Sequence, residues 1–278
     1  PDAEFLLNGD GGGGTLATDS KAVVYGLQTA EKTFATFAIS VSNPGGHSSR
    51  PRRDNAIYQL AAALQKLAAY EFPAQSSEQT RASFRFTGQQ IGGELGKAML
   101  RFADNPNDAA AVAVIAADPE YVGTLRTTCV ATLLSGGHAE NALPQLATAT
   151  VNCRIFPGVA VESVRARIAE VIADPQAKVT EVGKAFASDA SPLRDDVVQA
   201  VRKAVDANFK GLPVVPGMSS GATDSLYFRA AGIPSYGVSG AYVRPEDDYS
   251  HGLNERVPVS TVARGLKHWH VLVTELAK

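Results

Sequence analysis

The sequence predicts an α/β protein in which a compact β-α-β-β-α-β unit interrupts a second α/β region. Three observations carry this. Residues 32–41 alternate apolar and polar side chains as a half-buried strand does, and Ile57, Leu60, Ala61, Leu64 and Leu67 then recur at helical spacing. Two strands, 123–134 and 145–156, flank a turn at 135–144; Val161, Val164, Ile168, Val171 and Ile172 mark an amphipathic helix, and 178–182 a last strand. After Gly183 helices and short strands alternate instead. The interrupting unit is placed at 31–184, with a helical insertion at about 71–123; residues 1–30 and 185–278 form the other domain, expected to be incomplete at its N-terminal side.

Taken in order, residues 5–7 read as a short buried strand followed by Asn8-Gly9-Asp10 and four glycines. A carboxylate at a strand end on such a loop can reach a ligand or metal, or simply close a turn. The glycines form no dinucleotide or phosphate fingerprint. Asn43-Pro44-Gly45-Gly46 ends the next strand, because Pro and Gly restrict or free the backbone as turns require. His47 then stands on a tight connection between strand and helix, beside Ser48 and Ser49 and close to Arg50, Arg52 and Arg53. Its chemistry alone leaves two readings open: a surface turn residue, or a functional group on a loop held by rigid elements.

Segments 78–86, 93–103 and 107–117 read as short helices. Later come a helix at 193–206, a strand at 213–215, a Gly/Ser-rich loop at 216–224 opening a short helix, a strand at 235–238, and a polar stretch at 239–256 that contains His251. The final helix, from near Ser260, is expected to bury Val262, Leu266, Trp269, Val273 and Leu276, leaving His268 and His270 on the surface.

Composition excludes several classes. With 45% hydrophobic and 19% charged residues among 278 and a net charge of -2, the chain reads as globular, and bulk nucleic-acid binding is not expected. No apolar run has the length that crosses a bilayer, so no membrane partner is expected. Pro1 opens the chain without an initiator Met or a leader pattern, as though inside a fold. Cys129 and Cys153 lie equally far from the turn near Asn141 and can face each other across a hairpin; a buried reduced pair is the expected state, with a disulfide as the alternative.

Five stretches occur in an order that resembles a known family. They are Gly45-Gly46-His47-Ser48-Ser49-Arg50-Pro51 with Asn55-Ala56-Ile57; residues 137–141 with Pro144; Asn152-Cys153-Arg154-Ile155-Phe156-Pro157-Gly158; Gly221-Ala222-Thr223-Asp224-Ser225; and Ser250-His251-Gly252-Leu253-Asn254-Glu255. The family is that of the di-zinc aminoacylases, glutamate carboxypeptidases and succinyl-diaminopimelate desuccinylases, and the resemblance covers essentially the whole chain. It implies an α/β zinc-peptidase domain interrupted by a ferredoxin-like lid that dimerises. It also implies hydrolysis of an amide bond next to a free carboxylate, in a small peptide or N-acyl amino acid, by two zinc ions.

On that resemblance His251 matches the last zinc ligand and Asp10 the acidic ligand preceding the lid, although Gly9 stands where relatives often have Glu. His47 matches the lid histidine that enters the partner subunit's active site and polarises the scissile carbonyl. Asn141 and Arg154 match substrate-holding lid residues, and a guanidinium suits a carboxylate because it binds both oxygens at once. Asp224 and Glu255 read as supports. The family's His-x-Asp segment, bridging Asp and Glu-Glu pair are absent from this stretch and are expected upstream, so the stretch alone is expected to be inactive.

Two other classes compete. One is a non-catalytic dimerising or ligand-binding module built on the same fold. The other is a serine hydrolase, since Gly217-Met218-Ser219-Ser220-Gly221 loosely follows the Gly-x-Ser-x-Gly elbow.

Overall fold

The computed structural model describes residues 2–247 and 252–278. In chain order it contains β1 (Leu6–Asn8), β2 (Gly13–Leu16), β3 (Ala22–Glu31), β4 (Thr33–Ser42), β5 (Gly46–His47), α1 (Ala56–Ala69), α2 (Glu78–Ile91), α3 (Gly93–Asp104), α4 (Ala109–Ala116) and α5 (Val122–Leu125). There follow β6 (Thr128–Gly136), β7 (Ala142–Leu143), β8 (Leu146–Ile155), α6 (Val161–Ile172), β9 (Ala177–Val182), α7 (Asp195–Asp206), β10 (Val214–Ser219), α8 (Ser225–Ala230), β11 (Ser235–Gly237), β12 (Tyr242–Val243) and α9 (Ser260–Leu276).

The chain divides into two compact units. One comprises Lys32–Gln75 and Arg126–Ala187, the other Pro1–Glu31, Ser76–Leu125 and Ser188–Lys278. The first unit is an antiparallel sheet in the order β6-β8-β4-β9. With α1 and α6 in sequence this is β-α-β-β-α-β wiring, the ferredoxin-like arrangement. Alternation along the strands sets its two faces. Ala35, Phe37, Ile39 and Val41 of β4 and Ala147, Ala149, Val151, Cys153 and Ile155 of β8 point to the helices. There they meet Ala56, Leu60, Ala63 and Leu67 of α1 and Val164, Ile168 and Ile172 of α6. Each large apolar side chain buried in this way contributes on the order of 1.5–3 kcal/mol. The opposite face carries Phe34, Thr36, Thr150, Asn152 and Arg154. Asn55 caps α1, its Oδ1 accepting the N–H groups of Ile57 at 2.9 Å and Tyr58 at 3.4 Å.

In the second unit a mixed sheet runs β1-β11-β3-β2-β12, with β10 also paired to β3. Its core gathers Tyr25, Leu27, Tyr236, Val238 and Tyr242 from the sheet with Val197, Val201 and Val205 of α7 and Leu272 of α9. The β2–β3 hairpin is a finding that the glycine-rich sequence concealed.

Three expectations are corrected. The helical segment falls in the second unit rather than in the lid, because α2 packs on β10 and Gly123 lies beside Ser220. Cys129 and Cys153, directly paired across β6 and β8 with Cα atoms 4.1 Å apart, form a disulfide rather than a reduced pair. His268 is fully buried, and Val262, Leu266 and Val273 are instead exposed by 59%, 71% and 51%. α9 docks on its Thr261, His268 and Leu272 face. Polar anchors fix that choice: Tyr242 N–H donates to Thr261 Oγ1 at 2.7 Å, and the Tyr25 hydroxyl meets His268 Nε2 at 3.2 Å.

Candidate active site

At one end of the lid sheet the backbone brings two sequence candidates together. Asn43 folds the chain after β4, its Oδ1 accepting from Gly45 N–H at 3.1 Å while Gly45 adopts a φ of 77° that favours glycine. β5 then pairs antiparallel with β7, His47 opposite Ala142, and Ser48 N–H donates to the Asn141 carbonyl at 2.9 Å. His47 and Asn141 are therefore neighbours, both exposed. Ser49 N–H donates to His47 Nδ1 at 3.1 Å, and the Ser49 hydroxyl lies 2.8 Å from the same atom. With Nδ1 committed as acceptor, the neutral ring carries its proton on Nε2, which leaves that atom as a donor.

Arg154 stands at the other end. It lies between Phe34 of β4 and Thr128 of β6 in register, and its guanidinium sits 4.7 Å over the Phe34 ring. From Leu146 to Arg154 the strand advances roughly 26 Å at about 3.3 Å per residue. One lid thus separates Arg154 from the His47–Asn141 pair by more than the length of a dipeptide.

In the other unit Asp10 follows β1. Its N–H donates to Asn8 Oδ1 at 2.8 Å, and Asn8 Nδ2 donates to Ser225 Oγ at 2.9 Å and Thr223 Oγ1 at 3.2 Å. Thr223 N–H in turn donates to Glu31 Oε2 at 2.7 Å, and Glu31 Oε1 pairs with Arg229 Nη1 at 2.9 Å. Arg229 also donates to Ser191 Oγ and to the Ser235 carbonyl. Burial pushes the Glu31 carboxyl above its ordinary value, against the pull of the Thr223 N–H and of Arg229. This polar chain ties the Asp10 loop to β3, α8 and β11. Sequence reasoning missed it, since Glu31 and Arg229 lie 198 positions apart.

The Asp10 carboxylate has no hydrogen-bond partner among the described residues and lines a cavity of about 550 Å³ with Gln28, Ser219 and Thr223. A free carboxylate in such a cavity is a group that can reach a cation. No three His, Cys, Asp or Glu side chains gather as a metal site among the described residues, and His251 lies outside them. The serine elbow is not formed. Ser219 ends a strand, its Oγ accepts from Gly221 N–H at 3.0 Å, and the next helix opens only at Ser225. No helix among the described residues is long and apolar enough to cross a membrane.

Comparison with known proteins adds a family. An N-fatty-acyl-amino acid synthase/hydrolase, PM20D1.1 of Danio rerio, is 28% identical over 237 residues, 84% of this chain and 46% of its own. The Homo sapiens PM20D1 is 27% identical over 247 residues, 87% of this chain and 49% of its own. The chain spans about half the length of the curated relatives it matches. Among solved structures, the aminopeptidase PepT of Bacillus cereus shares the fold with a TM-score of 0.60 at 15% identity, covering 100% of this chain and 58% of that one. The M20 family metallo-carboxypeptidase Sso-CP2 of Sulfolobus solfataricus does so with a TM-score of 0.60 at 14% identity, covering 94% and 61%. Residues 29–180, the stretch that holds the β4–β9 lid, match the peptidase dimerisation domain of the M20 peptidases, and the chain belongs to that family.

Proposed function

We propose that the complete protein is a metal-dependent amidohydrolase that cleaves an amide bond beside a free carboxylate, in a small peptide or N-acyl amino acid, and that it works as a homodimer. The separation of Arg154 from the His47–Asn141 pair carries this reading. A small substrate cannot span one lid, so a site using all three residues draws them from two protomers. Arg154 clamps the substrate carboxylate with two parallel hydrogen bonds. His47, through Nε2–H, donates to the carbonyl oxygen as charge develops there, and Asn141 beside it orients the same group.

The lid offers a surface for the pairing. β6 is an edge strand whose Val130 and Leu133 on the open face and Leu134 on the helix side are exposed by 58%, 68% and 70%, apolar surface along one edge that a second copy would cover. Among the relatives, PM20D1 is named for N-fatty-acyl amino acids and Dug1p of Saccharomyces cerevisiae for dipeptides, which agrees with a substrate bearing a carboxylate next to an amide.

Asp10 and His251 would contribute to holding two zinc ions, the remaining ligands and the general base lying upstream. When bound, such ions activate water and stabilise the oxyanion. Arg154→Ala in the complete enzyme is expected to raise KM about a hundredfold, as loss of a bidentate charged contact does. An unchanged KM would sink the carboxylate reading.

A further inference from the structure

The lid contains a buried ammonium with no counter-ion among the described residues. Lys32 is fully buried, and its Nζ donates to the Arg126 carbonyl at 2.7 Å and to Thr128 Oγ1 at 3.1 Å, both neutral acceptors. Leaving a cation inside a protein without a partner is costly. The charged groups around it do not relieve that cost. Arg154 on β8 is a second cation, with no carboxylate within ion-pair reach among the described residues, and the Arg126 guanidinium is already paired with the largely exposed Glu71. No titratable side chain of β4 or β6 faces Lys32.

The strand register makes these groups one site. Arg154 lies between Phe34 and Thr128, its guanidinium resting over the first, while the Lys32 ammonium is anchored on the second. Two cations therefore flank one point on the open face of the sheet.

We propose that Lys32 and Arg154 form a coupled anion site, in which Arg154 contacts a carboxylate and Lys32, beneath it, supplies a second positive charge that the bound anion stabilises. The inference rests on the reading of Arg154 as the carboxylate clamp and adds a positioning residue to it. Lys32 does not touch the ligand; it sets the local field. Burial, with a smaller push from Arg154, brings its pKa down to about 7. The ammonium is thus present below that pH and lost above it, and an anion at Arg154 must draw the proton back by linkage.

The test uses the 278-residue chain with N-acetylglycine as probe and N-acetylglycinamide as its neutral control. The Lys32 side-chain carbon resonance is followed by NMR through a pH titration with each compound. N-acetylglycine should raise the Lys32 midpoint and the amide should not. Affinity for N-acetylglycine should fall roughly tenfold between about pH 6 and 9, be flat in Lys32→Met, and be restored at high pH in Lys32→Arg.

If Arg154→Ala binds the probe as the wild type does, or if no carboxylate-selective binding occurs, the clamp reading fails and the inference with it. If Arg154→Ala loses binding while the wild-type Lys32 midpoint ignores the probe, the clamp stands and the role of Lys32 is refuted. That wild-type titration decides the matter even where Lys32→Met does not fold.

Discussion

Burial of a single imidazole gives the second unit a pH dependence that can be measured. His268 stacks on Tyr25 with ring centroids 5.3 Å apart, and burial brings its pKa from 6.5 down to about 4. The unfolded chain therefore takes up a proton near pH 6.5, and the folded chain only near 4. Between those values the unfolded state holds the extra proton, so stability falls as the pH falls through this window, by up to about 3 kcal/mol. Thermal melts from pH 7 to 4 should show that decline, and His268→Phe, which keeps a ring against Tyr25, should flatten it. A variant with an unchanged slope would mean that other groups drive the effect. The inward turn of His268 was not legible in a helix whose Val262, Leu266 and Val273 suggested another face; its reason is the Tyr25 hydroxyl, 243 positions distant.

Among the elements, α9 and α1 teach the same lesson. Periodicity reveals which face of a helix is apolar but not what covers it. In α1, Leu60 and Leu67 reach the core as expected, but Ile57 and Ala61 are exposed and line, with Leu64, a groove of about 340 Å³ beside Leu134 of β6. In α9, docking depends on close backbone approach: a Cβ at Gly240 would lie 2.6 Å from Gly265 Cα, whereas one at Gly265 would meet Gly240 O at an ordinary 3.5 Å. Gly240→Ala should cost roughly 1–3 kcal/mol by overpacking. Gly265→Ala should be neutral or stabilise by up to about 1 kcal/mol through helix propensity. Chemical denaturation of both variants tests that opposition, and equal losses would refute it. The β6 edge gives a third outcome: Leu134→Glu should shift the protein from dimer to monomer by sedimentation while leaving its far-UV spectrum intact. A dimer undiminished by the charge would place the contact elsewhere.

Across the whole molecule, the β-α-β-β-α-β pattern of the lid was legible because its strands have one buried and one open face, which writes a period of two into the sequence. The partnership of α2 with β10 was not, since helices of one segment say nothing of a strand more than a hundred residues later. The site was legible unevenly for the same reason. His47 was legible as a turn residue with two readings open, and Asn141 became its neighbour only through the β5–β7 pairing. The buried Glu31–Arg229 pair is wholly a product of tertiary folding.

The distance between Arg154 and the His47 loop also has a genetic meaning. On the proposed two-protomer site, two defective alleles, one His47→Ala and the other Arg154→Ala, would each encode a homodimer nearly silent at substrate well below KM. Co-expressed in equal amounts, they should restore roughly a quarter of wild-type activity, because half of the random dimers are mixed and each mixed dimer rebuilds one intact site of two. Recovery at that level would make the dimer, rather than the polypeptide, the unit on which selection acts.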